Sequence, residues 1–581
     1  MSTPGSIDPI GLEVLRGRLD SIAGEMQIAL LKSSYSTIIT ESLDATSALF
    51  DREGRTIAQA VSIPIHLGVL AELGRRFALK YGQGVAREGD VYAINDPYSG
   101  GTHLPDIAIC VPVFDGETLV GYTATMSHHA DVGGGAPGSC PAVGVYDHFS
   151  EGLRIPMLRL GSAGALDPEL IALITANSRA PAGMVGDLNA QVSACRIGAQ
   201  RFRELSAEWG AGELDRGMGE LLDYADRLTR REIECIPDGD YTFTDYLDDD
   251  GSGTSSDPVP IRVTIRKRAD TLHFDFTGTG AQVRAAINNV PYSVTSVIYF
   301  MVRTLVGDLA PNNDGCYRAV SMFIPEGTIL NPRFPAPVNA RGVSLRRAVD
   351  AVYGAMALAI PDRMTAANCG QSSLISVGAM NERQEFVVGV LGGPFMGGMG
   401  ARAQKDGIDC TDHDCSNAYN MPIEVSEASL PLRLRRVELW EDSGGAGRMR
   451  GGLGYHLEAE WLHGEGMVGL RRERHAHQPW GLAGGLGGPL GRTVVARAGQ
   501  PAENQAPKSQ LRMSTGDRLL LWTTGSGGYG SPLERDPQLV LHDVLDGRVS
   551  TDEAARVYGV VIRHGAIDLA ATQELRGADA A

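Results

Sequence analysis

Residues 103–129 read HLPDIAICVPVFDGETLVGYTATMSHH. Two apolar runs flank Asp115-Gly116, a dipeptide suited to a two-residue type I′ turn, so the stretch predicts an antiparallel hairpin. With those two residues as the loop, Phe114 faces Glu117, and His103 falls opposite His128. Directly opposed residues share one face of a sheet, with Cβ atoms about 4.5–5.5 Å apart. Two imidazoles at that spacing suit a shared metal ion. Pro105 and Pro112 interrupt the ladder, because proline has no N–H to donate.

Outward from the hairpin, helical and strand periods alternate. Asp8 is placed to cap a helix whose Leu15, Leu19, Ile22, Met26 and Leu30 recur at helical spacing, with Pro9 in its first turn. ATSALFDREGRTIAQA reads as strand, turn, strand, and a second helix is expected near 69–82. Helical patterns dominate 166–235. The acidic loop DYLDDDGSGTSSDP (245–258) precedes a second hairpin, IRVTIRKRADTLHFDFTG, and two apolar helices follow it. From 384 to 530 glycines separate short apolar strands, which predicts tight turns and close backbone packing. Asp536-Pro537 and the Ser550/Glu553 pair open helices near the end. The expected class is α+β and multidomain, with mixed sheets, Gly-rich turns, an N-terminal helix and a helical C-terminal tail. The expected divisions are 1–235, 236–335, 336–425 and 426–581.

The 581 residues carry a net charge of −18, which argues against a nucleic-acid partner. The opening residues lack the pattern of a secretory signal, and no apolar run reaches membrane-spanning length. The eight cysteines form no CxxC pair. These features predict a cytoplasmic chain with reduced thiols.

Histidine nitrogen with carboxylate oxygen suits Zn, Mn or Fe(II), and three protein ligands with an open position is the catalytic arrangement. His103, Asp106 and His128 are the candidate ligands, and Asp44 is a fourth. Next to them in sequence, His129 and Asp131 suit roles in orienting a ligand or a water. His66 is a weaker candidate, because a core histidine explains it equally well.

Rival constellations fare worse. The Asp248/Asp250/Gly251 run lacks the acidic twelfth residue of a calcium loop. CTDHDC (410–415) fits no standard zinc spacing. His475 and His477 are explained by packing beside Trp480. Cys369 has no assignable base, and Arg341 with LRRAVD could bind phosphate, although such basic patches are usually solvated or paired. No Walker loop occurs, and GSGGYG alone is too weak for a nucleotide site.

Long colinear motifs carry a resemblance. GDVYAINDPYSGGTHLPDIAICVPVF, SHHADVGG, EGLRIP, GDLNAQVSACRIG, DFTGTGAQVRAAIN, RVELWEDSGGAGRMRGGLG, PWGLAGG and GGYGSPLERDPQLVLHDVLDGRVSTDEAARVYGVV are similar to the hydantoinase B / 5-oxoprolinase B family. That family includes ATP-dependent hydantoinases, 5-oxoprolinases, caprolactamase, and acetone and acetophenone carboxylases. The resemblance implies a partner A-type ATPase subunit, in an A2B2-type assembly, which binds ATP and phosphorylates a substrate carbonyl. It also implies a divalent transition metal on two histidines and an aspartate, matched here by His103, Asp106 and His128. Cys410 replaces a glycine of the family pattern, and NARGVSLRRAVD lacks its acidic residue. The expected reaction is hydrolysis of a cyclic amide, with Asp44 as ligand or base and His129 or Asp131 steering water. Ketone carboxylation and a non-catalytic scaffold for the ATPase are the alternatives.

Overall fold

Asp8 accepts hydrogen bonds from the N–H groups of Ile10 and Gly11 and opens helix α1 (Pro9–Ser33), which buries Leu15, Leu19, Ile22, Met26 and Leu30 as its period requires. The structure is a computed structural model that describes residues 7–371, 375–391, 397–412 and 415–578. A short helix α2 (Thr37–Thr40) leads into β1 (Ala45–Asp51) and β2 (Thr56–Gln59). Helix α3 (Leu67–Lys80) follows, two residues from its expected bounds.

β3 (Val91–Ile94), β4 (Asp106–Asp115), β5 (Thr118–His128), β6 (Leu158–Ser162) and β7 (Ala165–Leu166) complete a seven-stranded sheet of order β2-β1-β5-β4-β3-β6-β7. β1, β4 and β5 are buried on both faces. One face packs on α1 and on the long helix Pro181–Trp209, the other on α3. Near-continuous apolar runs, rather than alternation, follow from that double cover.

The hairpin forms in a different register from the one expected. Gly116 and Glu117 make the turn, Asp115 pairs with Thr118, and Phe114 pairs with Leu119. The register then shifts, so that Val113 pairs with Gly121 and Asp106, not His103, faces His128. Two local causes account for this. Gly116 adopts φ +60 at the first turn position, the glycine-first pattern of a II′ turn. A bulge then inserts Val120 opposite the Val113–Phe114 step. His103 lies in the turn before β4, where proximity rather than pairing brings its ring centroid 4.9 Å from that of His128.

Beyond helix Ala211–Glu234, strands Gly239–Leu247, Val259–Arg268, Thr271–Asp275 and Val320–Phe323 form a second sheet. Helices Pro291–Val306 and Gly342–Ala357 pack on it, and this core runs through residue 335 from both sides. Strands Ile375–Met380, Phe386–Leu391, Glu465–Arg471 and Lys508–Ser514 build a third sheet, which shares its core with a five-stranded fourth sheet. Short helices between residues 537 and 578 end the described chain. The architecture is α+β, with an N-terminal helix, several sheets and a helical C-terminal end. Among the described residues, no helix is long and apolar enough to cross a membrane.

Candidate metal centre

Three adjacent strands deliver side chains to one end of the first sheet. Asp44 directly precedes β1, His128 ends β5, and Asp106 begins β4. The His128 N–H donates to the Asp44 carbonyl, and Asp106 is the Cα partner of His128. Antiparallel pairing therefore places all three on one face. His103 joins from the preceding turn, with Nε2 3.1 Å from Asp106 Oδ1. His66, just before α3, brings its Nε2 to 3.6 Å from Asp106 Oδ2, while its Nδ1 lies 2.8 Å from Thr46 Oγ1.

These groups divide into two clusters of ligand atoms: His103, His128 and Cys140, and alongside them Asp44, His66 and Asp106. The expected His103, Asp106 and His128 meet at this sheet end, with members in both clusters. Cys140, which no sequence spacing singles out, is drawn in, and so is the weaker candidate His66.

Four buried atoms here have no hydrogen-bond partner: His66 Nε2, His103 Nε2, Asp106 Oδ1 and His128 Nδ1. Each unsatisfied buried polar group costs about 1–3 kcal/mol, and four at one place are the pattern of a site completed by a bound water or ion. Their donor types suit a divalent transition ion.

The electrostatics follow from burial and neighbours. Burial and Arg341 oppose a charge on His103, yet Asp106 and Cys140 outweigh them and lift its pKa to about 9. Burial works against the Asp106 carboxylate, but His103 and Arg341 hold it well below the usual range, and Arg341 Nη2 donates to it at 2.7 Å. Thr102 Oγ1 donates to the same carboxylate. Burial pushes Asp44 upward, against the pull of His128. The Cys140 thiol, although buried, is drawn well below its ordinary value by His103, His128 and Arg471.

His129 and Asp131 turn away from these clusters. His129 Nε2 lies 3.1 Å from Gln191 Oε1 on helix Pro181–Trp209, and burial lowers its pKa. Asp131 accepts from the N–H groups of Gly133, Gly138 and Arg179 and from the Arg179 guanidinium. Both oxygens of Asp131 are so engaged. It fixes the Gly133–Cys140 loop that carries Cys140.

Asn339, which opens the NARGVSLRRAVD stretch, is a hub of the site. Its carbonyl accepts from His103 Nδ1 at 2.8 Å, its side chain bonds Leu104, Ser139 and Glu151, and its own N–H reaches Glu151 Oε1. No pattern along the chain reveals a residue whose partners lie about 190 to 235 positions away. A cavity of about 100 Å³ opens over the cluster, lined by Asp44, His103, His128, Arg341, Arg346 and Arg471 among others.

The rival constellations take structural roles. Asp248 accepts from the backbones of His475, Ala476 and His477, so the acidic loop clamps that segment instead of a cation. Cys369 is buried. His413 and Asp414 of CTDHDC lie outside the described residues.

Comparison with known proteins agrees with this architecture. Residues 8–532 match the family model described as hydantoinase B/oxoprolinase. The chain is 34% identical over 588 residues to the B-type subunit of a "Putative D-/L-hydantoinase" from Pseudomonas sp. (strain NS671), covering 98% of each. The ATP-dependent caprolactamase of Pseudomonas jessenii superposes with a TM-score of 0.91 at 33% identity, over 99% of this chain and 100% of that one. An acetone carboxylase structure superposes with a TM-score of 0.91 at 21% identity, over 99% of this chain and 83% of that one, and shares the fold. The chain belongs to the hydantoinase B/oxoprolinase family.

Proposed function

We propose that this chain is the hydrolytic subunit of an ATP-dependent cyclic amide hydrolase, working with an A-type ATPase subunit that binds ATP and phosphorylates the ring carbonyl. One observation carries this reading: Arg341, Arg346 and Arg471 line the cavity that reaches His103, His128 and Asp44. Convergent arginines recognise a phosphoryl group through charge-assisted hydrogen bonds.

An amide carbonyl resists water, whereas its O-phosphorylated form is an activated imidate. The arginines hold the phosphoryl oxygens and orient the ring carbon toward Asp44. Asp44, its carboxyl raised by burial, accepts a proton as water adds to that carbon. The C–N bond breaks with a proton passing to the ring nitrogen, leaving an acyl phosphate. A second water releases phosphate and the open amino acid. A divalent transition ion (Zn, Mn or Fe) drawn to His103 and His128, with Asp44, Asp106 or Cys140, supplies Lewis acidity there.

The test pairs the purified chain with an A-type subunit and ATP over a panel of hydantoins, 5-oxoproline, lactams and ketones. ADP release coupled to ring opening is expected. Bicarbonate-dependent loss of a ketone would assign carboxylation instead.

A further inference from the structure

A second cavity, of about 440 Å³, opens on the fourth sheet and shares no lining residue with the cavity over the candidate metal centre. Its volume falls in the range of about 300–1,000 Å³ that holds small organic molecules. Trp440 and Trp522 give it aromatic walls, and Arg492, His475 and Thr493 line it with polar groups. Among the described residues no Asp or Glu lines it, although the chain carries a net charge of −18.

The sheet builds the polar wall. His456 in strand Tyr455–Trp461 and Arg492 in strand Arg492–Ala496 are the Cα partners of Trp522, which ends the strand between them, so the three share a face. The His456 ring stacks on the Trp522 indole with centroids 4.2 Å apart, and the Arg492 guanidinium carbon lies 3.8 Å from the indole centroid. Stacking holds this guanidinium in place, and no carboxylate among the described residues pairs with it. A second guanidinium lies beneath. Arg472 is 0% exposed and donates to the carbonyls of Arg492 and Trp522 and to Thr493 Oγ1, at 2.6–2.8 Å, with Nε left unpartnered. Among the described residues it too has no carboxylate partner, and burial lowers its pKa to about 10. A Cβ on Gly491, in the cavity lining, would stand 3.6 Å from Arg472 Nη2. Burial, with Arg472 beside it, pushes His475 down to about 3, so its imidazole is neutral. Two guanidinium groups without counter-ions, one buried, give the cavity a positive field that an anion would neutralise.

We propose that this cavity binds a small organic carboxylate with a flat aromatic or heteroaromatic body, its carboxylate on Arg492 and its ring against Trp440. The donors of Arg472 are committed to the protein, so it contributes field and no contact. That leaves one guanidinium fork, which matches the two oxygens of a carboxylate and not the three of a phosphate. The site is independent of the chemistry proposed at the first sheet.

Calorimetric titration of the full-length chain with 2-naphthoate, uncharged 2-naphthamide and inorganic phosphate tests this. One equivalent of 2-naphthoate should bind, about tenfold or more tighter than the amide, and phosphate should not bind. Arg492→Gln should bring the naphthoate affinity down to that of the amide, whereas Trp440→Ala should weaken both ligands. Equal affinity of the wild type for naphthoate and naphthamide, which needs no variant, overturns the anion site. Naphthoate binding unchanged in both variants lies elsewhere and overturns the assignment to this cavity. Binding of phosphate in preference to naphthoate overturns the carboxylate class, and no binding of any of the three at millimolar concentration overturns the site.

Discussion

Arg346 and Asn339 act at the two ends of the candidate site. Arg346 lines the cavity and donates to Asp412 at 3.2 Å. Replacing it with Met should leave ADP release by the paired subunits intact while ring opening falls about tenfold or more, the loss of one charge-assisted contact. Parallel assays of ADP and product would show this uncoupling, and equal losses in both would argue against a phosphoryl contact. Asn339 is 1% exposed and gives three side-chain bonds to the backbones of Leu104, Ser139 and Glu151. Asn339→Ala strands those groups and should cost about 3 kcal/mol or more, read as a lower urea midpoint. Because His103 bonds the Asn339 carbonyl, retained zinc should fall as well.

At the scale of elements, α3 lies so close to the β1–β2 hairpin that a methyl group does not fit between them. A Cβ at Gly74 would sit 2.5 Å from the Gly54 carbonyl oxygen and 2.6 Å from the Phe50 ring. Gly74→Ala should therefore destabilise by about 2–3 kcal/mol despite its better helix propensity; an unchanged melting midpoint would contradict this packing. Helix α3 also reaches residue 314, where Arg75 donates to Asp314 at 2.7 Å. Burial, partly offset by Arg75, pushes the Asp314 carboxyl up to about 6 from its ordinary 3.8. The folded chain thus binds this proton more tightly than the unfolded chain. The resulting stabilisation is complete below about pH 4 and is lost as pH rises through about 6, amounting to up to about 3 kcal/mol. Urea midpoints between pH 4 and 7 should decline more steeply in wild type than in Asp314→Asn.

Across the whole molecule, a buried charge network ties the second sheet to the third. Asp245 in strand Gly239–Leu247 meets Arg347 and Arg474, and Asp350 receives the same two guanidinium groups. Glu473 pairs with Lys508, which also reaches Asp249 at 3.0 Å. Such pairs contribute little net stability as pairs, but loss of one partner leaves an uncompensated charge in the interior. Lys508→Met should cost about 3–5 kcal/mol by calorimetry, and adding Glu473→Gln should recover part of it. Simple additivity would show that the two do not interact.

Much of this protein could be read along the chain. The 3.6-residue period and the Asp8 cap specified α1, and the paired apolar runs specified the β4–β5 hairpin, because local hydrogen bonds and side-chain direction depend on near neighbours. The same local chemistry singled out Asp44, His103, Asp106 and His128, all of which meet at one sheet end. Register was less legible: the turn at Gly116-Glu117 and a bulge at Val120 together exchanged Asp106 for His103 opposite His128, and no pattern announced it. Cys140 and Arg471 were beyond reach, and the NARGVSLRRAVD stretch marked Asn339 and Arg346 without their partners, since those contacts join segments far apart in sequence. Sequence alone therefore determined which elements form and which imidazoles and carboxylates lie at the hairpin's end. Tertiary structure decided which atoms of those side chains face one another, because that depends on how the turn before β4, the 131–140 loop and the start of helix Gly342–Ala357 pack together.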